Sequence, residues 1–380
     1  MTVTSDPSLQ DLAGAPLDKE DARKMAERIE WASDRLRKVK AEVSKDVWDQ
    51  DYVIDMALTT MVAGGHILSE GLPGLAKTLL IKSIAKATGL DFKRIQFTND
   101  MTPSDLTGIE FQDRQTGEWK LAKGPLFGQL VLADEINRAG PKTQSAMLEA
   151  MEEKQITVNG VTHVLRRPFL VMATQNPIDQ GGTSPLPEAQ SDRFLIKLNV
   201  DYPGAEAEKK IMTAATGTKA DIDEMIRLRD LFNATNDPRH DFTLIADKDK
   251  EPQAQAVLNA MDLMIIQAIA KKLPLSEGVV QTAVDLVRNA RPQISQDSFI
   301  RKNVSWGPGP RALIAFGLVA KAKALIDGRP IEGGRLAPRK EDIFEIATPV
   351  LQHRMGINTY GGDEDITFAK VLKHLAPQVR

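Results

Sequence analysis

The sequence predicts an α/β chain in which a parallel-sheet domain is followed by a smaller, all-helical domain. Three observations predict it. Between residues 50 and 200, short apolar runs of strand type alternate with runs of helical period. After Tyr202-Pro203-Gly204 the strand patterns fade, and residues 205–380 read as mostly helical. Where the first strand meets its helix stands Gly71-Leu72-Pro73-Gly74-Leu75-Ala76-Lys77-Thr78, a turn of the kind that holds phosphate in such sheets.

Along the chain, residues 1–17 are rich in Ser, Thr, Asp and Pro and read as a loose tail. In residues 18–45, Ala22, Met25, Ile29, Ala32, Leu36 and Val39 recur at helical spacing among charges, which predicts a surface helix with one apolar stripe. Helices are expected over 52–63, 77–88 and 141–153, and strands over 66–70, 92–97, 129–134, 169–174 and 194–200. Two hairpins interrupt this alternation. Residues 155–164 alternate around Asn159-Gly160, a dipeptide that two-residue hairpin turns favour. Residues 109–123 form the other, turning near Thr116-Gly117. A polar break at 235–252 and Gly/Pro breaks at 303–310 and 328–338 divide the helical part. The expected organisation is a tail and helix over 1–45, an α/β nucleotide-binding domain over 46–204 and a helical domain over 205–380.

The 380 residues are 42% hydrophobic and 27% charged, with a net charge of −3. That balance is ordinary for a globular protein and sets up no global positive field to attract nucleic acid or anionic membrane. Without cysteine there are neither disulfides nor thiolate metal sites. The five histidines, His66, His163, His240, His353 and His374, do not stand at ligand spacing, so a metal site built only from protein ligands is not expected. The apolar stretches near 260–270 and 312–326 are interrupted by Asp262 and by Lys321 and Lys323, short of the roughly 18 apolar residues that a membrane span needs. No basic segment followed by an apolar run opens the chain, so no signal peptide is expected and the chain reads as soluble and cytoplasmic.

The phosphate loop follows a strand and opens a helix, the context that a G-x-x-x-x-G-K-[ST] sequence requires. Its backbone N–H groups and the helix N-terminus favour bound phosphate. Lys77 is expected to neutralise the β- and γ-phosphates and the Thr78 hydroxyl to bind Mg2+, with Leu79 completing the contact segment. Ala76 replaces the second glycine of the pattern. Because a Cβ disfavours positive φ, the replacement predicts ordinary helical or bridge-region dihedrals there, with Gly74 supplying the flexibility.

Leu130-Val131-Leu132-Ala133-Asp134-Glu135 is an apolar strand ending in two acids. Such acids belong at the exposed carboxyl end of the strand, where open sheets bind ligands. Asp134 is expected to hold magnesium, directly or through water, and Glu135 to orient or deprotonate the attacking water. Val171-Met172-Ala173-Thr174-Gln175-Asn176-Pro177 is another such strand; Asn176 either places the water against the γ-phosphate or begins an Asn-Pro turn. Arg193, before the last strand, is either a structural ion-pair residue or an arginine finger for a neighbouring subunit. Arg138 is a further candidate, at a subunit boundary or in a structural pair.

The order of these motifs resembles AAA+ ATPases and, within them, the MoxR branch. The match is carried by the phosphate loop, by Ala133-Asp134-Glu135-Ile136-Asn137-Arg138-Ala139, by Ala173-Thr174-Gln175-Asn176-Pro177, and by Leu186-Pro187-Glu188-Ala189-Gln190 with Asp192-Arg193-Phe194. It is dense over 46–204 and thinner at Gly307-Pro308-Gly309-Pro310-Arg311-Ala312 and Val350-Leu351-Gln352-His353-Arg354. Ala76 is usual in this branch. The resemblance implies an AAA+ P-loop parallel-sheet domain followed by a smaller all-helical lid domain, with ATP and Mg2+ as cofactors. It implies Asn176 as sensor 1, Arg193 as the arginine finger and Arg311 as sensor 2, touching the γ-phosphate of its own subunit. Pro308 and Pro310 suit the start of a helix with Arg311 in its first turn. The hairpins match the helix-2 insert and the pre-sensor-1 hairpin of this clade, which face a central pore. Val47-Trp48-Asp49-Gln50-Asp51-Tyr52-Val53 stands where relatives contact adenine, although its wording departs from their Val-Gly-Gln. A homo-oligomeric ring, a hexamer, is implied, with a protein client that is a von Willebrand factor A-domain protein.

Two other functions share these motifs. A nucleic-acid motor would use the hairpins on DNA, but 154–167 carries only Lys154, Arg166 and Arg167 as fixed positive charges, and no Phe, Tyr or Trp lies between Ile156 and Leu165 to stack on bases. A nucleotide-gated scaffold would bind ATP without turnover, a role for which Glu135 and Arg193 are superfluous.

Overall fold

The computed structural model describes residues 19–72, 74–176, 184, 186–216, 256–328, 336–358 and 366–376. The expected tail, the polar break at 235–252, Pro73 and Pro177 lie outside these residues. The first half of the chain runs α1 (Lys19–Asp46), α2 (Asp51–Ala63), β1 (Ile67–Glu70), α3 (Lys77–Thr88), β2 (Phe92–Gln96), α4 (Pro103–Thr107), β3 (Gly108–Gln112), β4 (Trp119–Lys123), β5 (Leu130–Asp134), α5 (Pro141–Glu153), β6 (Gln155–Val158), β7 (Val161–Val164), β8 (Leu170–Gln175), α6 (Glu188–Ser191), β9 (Ile196–Asn199) and α7 (Ala205–Ala215). Strands β2-β5-β8-β1-β9 form one sheet in that order, and every pairing is parallel.

Alternation along the strands builds two cores, because successive side chains leave opposite faces. Ile67, Leu132, Met172 and Ile196 face α1, α2, α3 and the helical region. Leu68, Val131, Val171 and Ala173 face α4, α5 and the hairpins. The two hairpins form as expected, β3 with β4 and β6 with β7, and Asn159 and Gly160 turn the second at φ +46° and +82°. Helix α4 was not expected. Its signal is present all the same, since Thr102 and Asp105 form a capping box around Pro103.

The helical region comprises α8 (Ala260–Lys272), α9 (Glu277–Asn289), α10 (Ser298–Asn303), α11 (Pro310–Asp327), α12 (Lys340–Glu345), α13 (Ala347–Leu351) and α14 (Phe368–Leu375). One small pairing departs from the all-helical expectation: β10 (Val304–Trp306) pairs antiparallel with β11 (Gly356–Ile357). Strands of two or three residues are too short to show a period.

Helices α8 and α11 pack on α2, and two further contacts fix this region against the sheet. The first is α1. Its Ala32, Leu36, Val39 and Val43 are fully buried, and the helix packs on α2, α3 and α11. The second lies at the edge strand β9 and the two residues that lead into it, Phe194 and Leu195, whose outer carbonyls would otherwise lack partners. Gln352 Nε2 donates to the Lys197 carbonyl at 2.5 Å, His353 Nε2 to that of Phe194 at 3.0 Å, and Arg354 Nη1 to that of Leu195 at 3.0 Å. Three consecutive side chains thus cap the strand.

Candidate nucleotide-binding site

The phosphate loop leaves the carboxyl end of β1, in the middle of the sheet. Gly71 is required by close approach: a Cβ there would sit 2.6 Å from the Val200 carbonyl oxygen. Gly74 turns the loop at φ +84°. Ala76 overturns the expectation of helical or bridge-region dihedrals, for it lies at φ +55°, ψ +15°, in the left-handed region. The loop must reverse into α3 within one residue, and that turn overrides a Cβ penalty of about 1–2 kcal/mol. Ala76 then accepts the first helical hydrogen bond, from Leu80 N–H at 2.8 Å.

A cleft of about 430 Å3 opens over this loop. Gly71, Gly74, Leu75, Ala76, Lys77, Thr78 and Leu79 line one side, and Asp134, Glu135, Thr174, Gln175 and Asn176 line the other. Leu72 lines a separate hollow toward Tyr202. Lys77 is half-buried and donates to the Gly71 carbonyl at 2.5 Å. Burial pulls its pKa below the usual lysine value, while Asp134, Glu135 and Glu70 act the other way.

The two acids sit in a network that their own sequence does not reveal. Thr174 Oγ1 donates to Asp134 Oδ1 at 2.7 Å and accepts the Glu135 backbone N–H at 2.9 Å. Arg94 Nη2 donates to Asp134 Oδ2 at 2.7 Å. Gln96 Nε2 and Arg138 Nη1 each donate to Glu135 Oε2, both at 3.0 Å. Glu135 itself is left-handed, at φ +56°. Arg94, Gln96 and Thr174 are site residues that the sequence reading passed over. Arg138, the further candidate, lies beside them as the ion-pair partner of Glu135.

Thr78 and Asp134 face one another across the cleft with a hydroxyl and a carboxylate. Hard oxygen donors of this number suit magnesium, which keeps several waters and shares phosphate oxygens. Among the described residues no cluster of three or more acidic or histidine side chains forms a metal cage, so the nucleotide would supply the remaining ligands.

On the other side of the loop lies a more apolar cavity of about 340 Å3. Val47, Trp48 and Gln50 line it together with Gly74, Leu75, Ala76 and Leu79, and with Pro203, Ile211 and Ala214. Of the 47–53 segment, Asp49, Asp51, Tyr52 and Val53 do not reach it. Helix α7, within the region expected to be helical, supplies Ile211 and Ala214, which no motif in the sequence marks as cavity residues.

Neither Arg193 nor Arg311 lines the 430 Å3 cleft. Both instead meet Glu152, in the last turn of α5. Arg193 Nε lies 3.1 Å from Oε2, and Arg311 Nη2 donates to Oε1 at 2.5 Å. Arg311 Nη1 is also 3.7 Å from Asp192 Oδ2. The resemblance implies that Arg311 touches the γ-phosphate of its own subunit; in this arrangement α11 presents it instead to Glu152 and Asp192, outside the lining of the cleft.

A five-stranded parallel sheet, a phosphate loop after its first strand and an acidic pair across one cleft define a P-loop nucleotide-binding protein with an appended helical region. Residues 66–196 match the model of the ATPase family associated with various cellular activities (AAA). Over 351 residues the chain is 35% identical to Chaperone MoxR1 of Mycobacterium tuberculosis, covering 90% of this chain and 83% of that one. It is also 35% identical over 325 residues to the uncharacterized protein YeaC of Bacillus subtilis, covering 86% and 88%. A solved structure from Cytophaga hutchinsonii aligns with a TM-score of 0.77 at 33% identity, over 95% of this chain and 98% of that one. The chain belongs to the MoxR family of AAA+ ATPases. Among the described residues no helix is long and apolar enough to cross a membrane.

Proposed function

We propose that this chain is one subunit of an ATP-hydrolysing ring that remodels a protein client. The observation that carries the reading is the facing of Lys77 and Thr78 by Asp134 and Glu135 across a single cleft. The loop and the α3 N-terminus bind the phosphates, with Lys77 leaving the Gly71 carbonyl for the β- and γ-oxygens. Thr78 and Asp134 would hold magnesium, which when bound would supply positive charge against the charge developing on the phosphates. Glu135 orients and deprotonates the attacking water, and Asn176 helps to place it. The apolar cavity beside Trp48 receives the base.

Arg193 completes the site of the next subunit as the arginine finger, the role that family membership assigns to its motif. Its distance from its own cleft supports that assignment. With 46–204 as the nucleotide domain and 205–380 as the lid, hydrolysis moves one against the other, and Gln352, His353 and Arg354 pass the motion to β9.

A protein client is supported by the name of the Mycobacterium tuberculosis relative, a chaperone. It is also supported by the hairpins, which expose Ile109, Phe111, Trp119, Val161 and Val164. Apolar side chains in this number suit unfolded or partly folded polypeptide. The hexameric ring and the von Willebrand factor A-domain partner rest on family resemblance, and so does the choice of magnesium.

Phosphate release tests the core of the proposal. Wild-type protein should hydrolyse ATP, Lys77→Ala should lose nucleotide binding, and Glu135→Gln should bind ATP without turning it over. Tight ATP binding by Lys77→Ala, or normal turnover by Glu135→Gln, would sink it. Capture with ATP-locked Glu135→Gln then tests the ring and its client together.

A further inference from the structure

We propose that Glu152 is the positioning residue of the arginine finger, gripping Arg193 from behind and leaving its phosphate-binding end open. The proposal rests on the trans role of Arg193 stated above. Glu152 is in an unfavourable place for a carboxylate. The C-terminus of α5 carries partial negative charge, the last turn contains no basic residue, and Glu153 is adjacent. Helix stability alone would select a lysine or arginine there. What Glu152 gains instead is two guanidinium partners, one on each oxygen.

The two arginines are held differently. Arg193 meets Glu152 through Nε. Among the described residues its Nη1 and Nη2 take part in no ion pair or side-chain hydrogen bond, and the side chain stays one-third exposed. The Nη1/Nη2 edge of a guanidinium is a planar fork that fits two phosphate oxygens. Gripped at Nε, Arg193 therefore keeps that fork for a ligand. Arg311 is held the opposite way, with Nη2 on Glu152 and Nη1 facing Asp192. Its fork is filled, and its charge keeps Glu152 paired and in place.

The backbone around Arg193 is also fixed. The carbonyls on either side of it, of Asp192 and Phe194, both accept from Arg354 Nη2, at 3.2 and 2.5 Å. Arg354 Nε adds an ion pair with Asp192 Oδ1 at 2.8 Å, and the whole side chain is buried. Backbone and side chain of the finger are thus set by separate groups, Arg354 for the one and Glu152 for the other. Such preorganisation is what transition-state contacts to a phosphoryl group require.

The test is a double-mutant cycle on assembled full-length protein, read by steady-state and single-turnover phosphate release. Glu152→Ala should leave the KM for ATP and the thermal midpoint unchanged and lower kcat by roughly tenfold to a hundredfold. Because Glu152 acts only through Arg193, adding Glu152→Ala to Arg193→Ala should cost nothing further. Glu152→Gln, which keeps the length and one acceptor, should give a smaller loss with the same non-additivity. Equal fold-losses in both backgrounds would overturn the proposal, as would wild-type kcat in Glu152→Ala when Arg193→Ala is inactive. Wild-type kcat in Arg193→Ala would overturn the finger reading itself, and this proposal with it.

Discussion

The hydroxyl of Thr174 donates to the Asp134 carboxylate at 2.7 Å while accepting the backbone N–H of Glu135 at 2.9 Å. One buried side chain therefore sets the aim of Asp134, the acid proposed to hold magnesium, and the strained backbone of Glu135 beside it. Thr174→Val keeps the shape and removes both bonds. It should destabilise the fold by about 1–3 kcal/mol, since the Glu135 N–H loses its buried partner. Turnover should fall more than ATP affinity, with a higher magnesium requirement. Denaturant titration and magnesium-dependent phosphate release check this, and an unchanged magnesium dependence would separate Thr174 from the acids.

Ala76 holds the loop at positive φ, where side-chain size decides the outcome. Ala76→Gly removes a strain of about 1 kcal/mol but adds a similar conformational entropy to the unfolded chain. Stability and ATP binding should stay near wild type. Ala76→Val places a β-branched residue at the same dihedrals, a genuine outlier, and should lose ATP binding. Equal binding by the two variants in a fluorescent-nucleotide titration would show that the loop leaves the left-handed region at Ala76.

Trp48 lies across the loop from the phosphate cleft. If its cavity receives the base, Trp48→Ala should weaken ATP binding by roughly tenfold, about 1.4 kcal/mol. Inorganic triphosphate, which has no base, should bind the variant and the wild type alike. Parallel losses for both ligands in calorimetry would place the base elsewhere.

Stability should fall in mild acid. His66 Nδ1 accepts the Val171 N–H at 3.0 Å, and its Nε2 lies 3.2 Å from the Met151 carbonyl and 2.7 Å from Lys154 Nζ, so the ring is enclosed on both nitrogens. Burial, and secondarily Lys154, push His66 down to about 3. Burial and Arg354 hold His353 well below the usual histidine value. Unfolded histidines take up protons as pH falls through about 6.5, while these two do not. Each thus removes stability progressively between pH 6.5 and its folded pKa, by up to about 1.4 kcal/mol per pH unit. His66→Gln should flatten the denaturation profile over that window by about one proton. An unchanged slope would mean that His66 is protonated in the folded state.

Much of the fold was legible because its signals are local. Short apolar runs at strand spacing marked all five strands of the sheet, and Asn159-Gly160 marked a hairpin turn. The phosphate loop and the acidic pair were legible for the same reason, each being contiguous in sequence. The site's supporting residues were not. Gln96 pairs with Asp134 in the sheet, and Ala133 with Ala173, which brings Arg94, Gln96 and Thr174 to the acids. That register follows from how strands stack and has no local signature. Ala76 shows the reverse failure: a sound local preference lost to the closure of the loop.

By itself the sequence determined the class of the protein, its phosphate loop, its acids and the candidate arginines, because residue type and short-range order specify those chemistries. Only the tertiary structure decided how they are held. It put Arg193 and Arg311 on one carboxylate, tied the helical region to β9 through Gln352, His353 and Arg354, and gave α7 a wall of the apolar cavity. These are contacts between segments up to about 160 residues apart, set by packing across the sheet and its edge, which no local pattern encodes.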